Sequence, residues 1–165
     1  MGSRDRGGLN VIAREIMTHD VIKISSTATI GQAVALLKEH TISGLPVVDS
    51  KDHLVGVITG GDVLRAVQQK AQKVYHTLLG PTHVVIDENV WREDRDHLLK
   101  QSVEKMMSRS PVTVAPATPV GEIADLMLRQ SIRRVFVIEH GRLLGVVTRN
   151  DIVRWLVRRV DSPTP

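Results

Sequence analysis

Cysteine is absent from this chain of 165 residues, which excludes disulfides, thiolate metal sites and a cysteine nucleophile together. That absence suits a reducing compartment, so a cytoplasmic location is expected. Aromatic residues are almost absent too. Tyr75, Trp91, Phe136 and Trp155 make up 2% of the chain, too few for the stacking platforms that bind single-stranded nucleic acid. No run of about 18 apolar residues occurs, and no basic-then-apolar leader with a small-residue cleavage site, so neither a membrane span nor secretion is expected. Charge of one sign is not concentrated either. The 22 Lys and Arg are mixed with 18 Asp and Glu for a net charge of +4, which suits small anions about as well as nucleic acid. Arg154 and Arg158 do share a helical face, with Arg159 beside them, but nucleic acid is not an expected partner.

Catalytic signatures are also missing. There is no Gly-x-Ser-x-Gly, no His-Glu-x-x-His and no phosphate-binding loop, and the seven histidines are dispersed. Neither catalysis nor a catalytic cofactor is expected. What the chain does have is 42% hydrophobic content, enough for one compact domain or two small halves sharing a core.

The chain repeats itself. Ile16–Ile24 aligns with Met106–Val114 at an offset of 90 positions, and the same offset carries Ala33 to Ile123, Ile42 to Ile132 and Val47-Val48-Asp49 to Val137-Ile138-Glu139. After a one-residue deletion in a turn, Gly56-Val57-Ile58-Thr59 meets Gly145-Val146-Val147-Thr148, with Asp62 opposite Asp151. Each copy reads strand, helix, strand, strand, helix. Val21–Ile24 is a short β-rich run, and Ile30, Ala33, Val34 and Leu37 then recur at helical spacing, as do Val120, Ile123, Ala124 and Met127. Thr29 with Gln32 resembles a capping box, and Thr118 before Pro119 resembles an N-cap with proline at the first helical position. Leu45–Asp49 and Leu54–Thr59 form a hairpin pattern, and helices are expected from Asp62 to about Lys73 and from Asp151 to about Arg159.

These repeats imply boundaries: a disordered tail at 1–8, a first domain at 9–74, a linker at 75–102, a second domain at 103–160 and a tail at 161–165. Gly80-Pro81 punctuates the linker, and Glu93-Asp94-Arg95-Asp96 is expected to open a helix, acidic residues favouring a helix N-terminus. Its Asp, Glu and His residues read as a solvated mixed-charge helix, and no metal is expected.

The motifs Ile42-Ser43-Gly44-Leu45-Pro46-Val47-Val48-Asp49 and Leu54-Val55-Gly56-Val57-Ile58-Thr59-Gly60-Gly61-Asp62, with counterparts Ile132–Glu139 and Leu143–Asp151, resemble those of the CBS (cystathionine-β-synthase) domain family over about four-fifths of the chain. The resemblance implies an α/β fold of the α+β type, two repeats packed as a pseudo-two-fold pair, and clefts that hold adenosyl ligands such as AMP, ADP, ATP or S-adenosylmethionine. It implies that Thr59 with Asp62, and Thr148 with Asp151, contact the ribose. A carboxylate can accept both ribose hydroxyls, while the adjoining helix N-terminus favours phosphate. The same spacing is also that of a helix cap, which needs no ligand. For the base the resemblance points to Ile22 and Val112, with Met17 and Met107 nearby, although strand residues of these types also serve as core. Arg133 and Arg134, standing where the first copy has Ser43-Gly44, suit a phosphate, with Arg149, Lys23 and His19 as further candidates. Phe136 stands where the first copy has Pro46, so it would narrow the cleft or offer a stacking face. The site holding Asp151 is expected to be the better one. The resemblance also implies a homodimer; with no effector domain in this sequence, the responder is expected to be a separate protein or a further part of the same one. The competing reading is a dimerisation or protein-interaction module whose cleft binds nothing.

Overall fold

The computed structural model describes residues 11–71, 75–77, 80–82 and 88–160. The tails expected at 1–8 and 161–165 lie outside those residues. In chain order the elements are α1 (Ala13–Ile16), β1 (Ile24–Ser25), α2 (Ile30–Glu39), β2 (Gly44–Val48), β3 (Leu54–Thr59), α3 (Gly60–Ala71), β4 (Tyr75–Thr77), β5 (Gly80–Thr82), α4 (Glu88–Lys100), a 3-10 turn at Val103–Lys105, β6 (Thr113–Val114), α5 (Val120–Arg129), β7 (Arg134–Glu139), β8 (Arg142–Thr148) and α6 (Arg149–Val160). The class is mixed α/β, and the expected strand, helix, strand, strand, helix order occurs twice.

The chain divides into two compact units, and neither is a simple stretch of sequence. One runs as far as Ile22, takes in Asp52–Leu54 and resumes at Pro111; the other comprises Lys23–Lys51 and Val55–Ser110. The opening segment of each repeat is therefore housed with the body of the other.

In the unit built on the second repeat, β6, β7 and β8 form a sheet in that order, β6 parallel and β8 antiparallel to β7. The β7–β8 turn places His140 and Gly141 at φ of +51° and +79°, the left-handed pair a two-residue hairpin requires. Ile123, Met127, Val135, Val137 and Val147 bury their side chains together with Ala13 and Met17 of the opening segment. Backbone pairing anchors that segment. Thr18 and Val146 exchange N–H···O bonds of 2.9 and 3.0 Å, and the Val120 N–H at the start of α5 reaches the Val11 carbonyl at 2.8 Å. Gly145 makes this approach possible: a Cβ there would stand 2.6 Å from the Met17 sulfur and 2.8 Å from the Thr18 carbonyl oxygen.

The other unit repeats the arrangement. Its sheet runs β1-β2-β3, with β1 parallel to β2, and Leu45, Val47, Ile58, Ile30 and Ala33 fill its interior. Val57 pairs with Ser108 through two 2.9 Å bonds, the Ile30 N–H meets the Gln101 carbonyl at 2.8 Å, and a Cβ on Gly56 would stand 2.6 Å from the Met107 sulfur. Helix α2 packs against α3 and α4.

The helix starts test the expected caps. Thr29 accepts the Gln32 N–H at 3.2 Å while the Gln32 side chain accepts the Thr29 N–H at 2.9 Å, a complete capping box. Thr118 does not cap its helix. Pro119 is the N-cap residue and α5 begins at Val120, in register with Ile30, so the proline precedes the first helical residue. Both helices end in a left-handed residue, Thr41 (φ +52°) and Ser131 (φ +54°). Behind each, Ile42 and Ile132 donate back to Leu37 and Met127, closing a Schellman turn. Between the repeats, Gly80-Pro81 lies in a two-stranded ladder with His76 opposite Pro81, rather than in a break. Helix α4 begins at Glu88, ahead of the acidic run expected to open it.

Candidate ligand-binding site

Among the described residues, the buried polar or charged side chains are two, Asp62 (9% exposed) and Asp151 (7%). Burying a carboxylate is costly unless it is hydrogen-bonded, and both are. At the end of β8, Asp151 Oδ2 accepts the Thr148 N–H at 2.8 Å and the Thr148 hydroxyl at 2.6 Å, and Thr148 Oγ1 accepts the Asp151 N–H at 3.3 Å. At the end of β3, the Thr59 N–H and hydroxyl reach Asp62 Oδ2 at 2.7 and 2.6 Å, and the Asp62 N–H reaches Thr59 Oγ1 at 3.3 Å. The cap is therefore real at both helix starts. It uses one carboxylate oxygen of each aspartate, so the cap and ligand readings do not compete for the same atom. The second oxygen, Oδ1, faces an arginine one turn on: Arg154 Nη1 at 3.4 Å from Asp151, and Arg65 Nη2 bonded to Asp62.

Around Asp151 the unit assembles further cations. Arg134 stands opposite Thr148 in the β7–β8 register. It is half-buried, and that burial pushes its guanidinium down from its ordinary value, because a desolvated charge is disfavoured. The Arg133 carbonyl accepts the Arg149 N–H at 3.2 Å, and Arg149 Nε donates to the Ile132 carbonyl at 3.0 Å. Arg133, Arg134 and Arg149, the residues expected to meet a phosphate, thus have neighbouring backbone positions where β7 begins and α6 starts, and the Arg149 side chain is engaged by the Ile132 carbonyl. In the other unit only the backbone link recurs, Gly60 N–H to the Ser43 carbonyl at 3.3 Å.

The family comparison bears directly on this arrangement: the CBS domain model matches residues 13–69 and again 103–158. The chain belongs to the CBS domain family. The CBS domain of a membrane protein from Sphaerobacter thermophilus is 32% identical and superposes with a TM-score of 0.67, over 88% of this chain and 87% of that one. The CBS domain pair of protein MJ0100, solved with 5'-methylthioadenosine and S-adenosyl-L-methionine, is 26% identical at a TM-score of 0.66, over 90% and 98%. A Methanocaldococcus jannaschii relative is 27% identical over 148 residues, and the chain spans 90% of itself but 44% of that relative's length. No helix among the described residues is long and apolar enough to cross a membrane.

The remaining expected residues fall into three groups by burial in this CBS pair. Met17 and Met107 are buried, each packed over the glycine of a last strand, Gly145 and Gly56. Ile22 and Val112 are half-buried in one unit, where the Val112 carbonyl accepts the Phe136 N–H at 3.0 Å. Lys23 belongs to the other unit, exposed just ahead of β1, and His19 is exposed after α1. Phe136 is 2% exposed and part of the core, so it presents no open stacking face. The residues that sequence reasoning missed in this role are Arg65 and Arg154. The signal was there: Asp-x-x-Arg occurs in both copies, and an i, i+3 spacing puts both side chains on one helical face.

Proposed function

We propose that this CBS pair is a regulatory module that binds an adenosyl ligand and conveys its presence to a separate effector in the cytoplasm, with no catalysis of its own. The observation that carries the reading is the pair of buried aspartates, each fixed by its Thr through Oδ2 and presenting Oδ1 at a helix N-terminus. In this role Thr59, Asp62, Thr148 and Asp151 hold the ribose. Ile22 and Val112, one from each repeat, are the candidates for the base, together with Met17 and Met107. Arg133, Arg134 and Arg149 take a phosphate or carboxylate at one site, and Lys23 is the corresponding candidate at the other. The ligand-bearing MJ0100 pair supports an adenosyl compound as the ligand class, which takes in AMP, ADP, ATP and S-adenosylmethionine.

Thermal melting across adenosyl compounds tests the reading. A ligand at about 100 times its Kd should stabilise the fold by about 2.7 kcal/mol. If no adenosyl compound moves the melt and no nucleotide can be extracted from the purified protein, the reading fails.

The module is proposed to act as a homodimer. Val153, Leu156 and Val157 form an exposed apolar stripe on α6 at i, i+3 and i+4 spacing, which favours assembly whether or not the cleft is active. A monomer in sedimentation at micromolar concentration would remove the dimer.

A further inference from the structure

We infer that Arg154 and Arg65 are specificity-determining residues that compete with the ribose for its aspartate and so bias each site towards adenosyl ligands carrying negative charge. The inference rests on the ligand-site reading above.

Asp151 Oδ2 already accepts two hydrogen bonds, from the Thr148 N–H and hydroxyl, which fills its acceptor positions. A ribose diol that donates both hydroxyls to this carboxylate must therefore do so at Oδ1. That oxygen carries the Arg154 guanidinium at 3.4 Å, and in the other unit the equivalent oxygen of Asp62 carries Arg65. Both arginines approach from the solvent side. Their side chains are 62% and 66% exposed, whereas the carboxylates they meet are almost fully buried. An ion pair with one exposed partner is weak enough to be exchanged, but the buried carboxylate still loses a counter-charge when a neutral diol replaces it.

The displaced guanidinium stays tethered one helical turn from the ribose. A ligand with a phosphate or carboxylate offers it a new partner, and a neutral nucleoside does not. The same contact recurs at both sites, so one mechanism serves both.

Calorimetry with AMP and adenosine as probes decides the matter, in an Asp62→Asn background that leaves one ribose site. Arg154→Gln should raise adenosine affinity about threefold by freeing Oδ1, and should lower AMP affinity about tenfold by removing a charged hydrogen bond. Arg154→Lys should recover part of the AMP preference. A ratio unchanged by Arg154→Gln, or affinities that fall together for both probes, overturns the inference while leaving the ligand site standing. A parent chain that takes up neither probe nor any other adenosyl compound overturns the ligand-site reading and the inference with it. Melting curves confirm that the variants are folded, and Arg65→Gln in an Asp151→Asn background repeats the test at the second site.

Discussion

The Thr59–Asp62 and Thr148–Asp151 corners match bond for bond, yet their surroundings differ in charge. Each aspartate is buried, each spends Oδ2 on its threonine, and each meets an arginine three residues on. Beyond that frame, the Asp151 corner gathers Arg133, Arg134 and Arg149, where the Asp62 corner has Ser43, Gly44 and Gly60. A duplicated scaffold thus keeps the carboxylate geometry fixed while the side chains at the strand and helix starts vary. The comparison separates what holds the fold from what would select a ligand.

The largest effect should fall on the shared frame. Gly145→Ala and Gly56→Ala each drive a Cβ against a methionine sulfur and a backbone carbonyl that cannot retreat without breaking a strand pair. Each should cost about 3 kcal/mol in chemical denaturation, the upper range for overpacking. Unequal losses would show that the two units are not equivalent even in scaffold. Next comes the ribose contact. Asp151→Asn removes the charge and a carboxylate acceptor, so AMP affinity at that site should fall roughly 30-fold, equivalent to about 2 kcal/mol; because Asp151 closes a capping box on Thr148, melting without ligand should fall as well, by about 1 kcal/mol. Asp62→Asn should have the smaller effect on total AMP uptake if the arginine-rich corner is the tighter site, and a larger effect would reverse the ranking. Salt sharpens the same contrast. Raising ionic strength from about 0.1 M to 1 M shortens the screening length from about 10 to 3 Å, so AMP binding should weaken more at the Asp151 corner, read by titration of the single-site variants. The smallest effect concerns the left-handed residues after α2 and α5. Thr41→Gly should stabilise by about 0.5–1 kcal/mol and Ser131→Gly by less, because a β-branched residue is the more strained at positive φ. Thermal denaturation of the two variants reads this difference.

Much of this was legible in the sequence because it is local. The helical spacing from Ile30 to Leu37 and the Thr29–Gln32 and Thr148–Asp151 caps each join residues only a few positions apart, and the 90-residue offset shows each such local pattern a second time. Thr118 misled because proline at the first helical position is a strong prior, and here the α5 N-terminus is instead satisfied by the Val11 carbonyl, a partner far away in the chain. Gly80-Pro81 read as a break for the same reason: its pairing with His76 gives a ladder that residue preferences alone disfavour. Phe136 suggested a stacking ring, but only the tertiary fold reveals that its side chain is enclosed. The exchange of opening segments between units leaves no periodic trace, since nothing near Met17 in sequence announces that Gly145 lies beneath it.

That exchange carries a consequence for how the chain comes into being on the ribosome. Thr18 must wait for Val146, roughly 130 residues later, so at about 5–20 residues per second the N-terminal segment stays without its sheet for roughly 7–26 seconds. Val57 and Ser108 are separated by only roughly 50 residues, so the unit built on the first repeat can close first. During the interval Met17 and Ala13, both destined for burial, are free to be captured by the wrong sheet, including the one that Met107 is meant to cover. The repeats resemble each other closely enough for that error to be chemically plausible. Nascent chains arrested before Val146 should therefore show the segment from Val11 to Ile22 open to protease while the Val57–Ser108 unit is already protected.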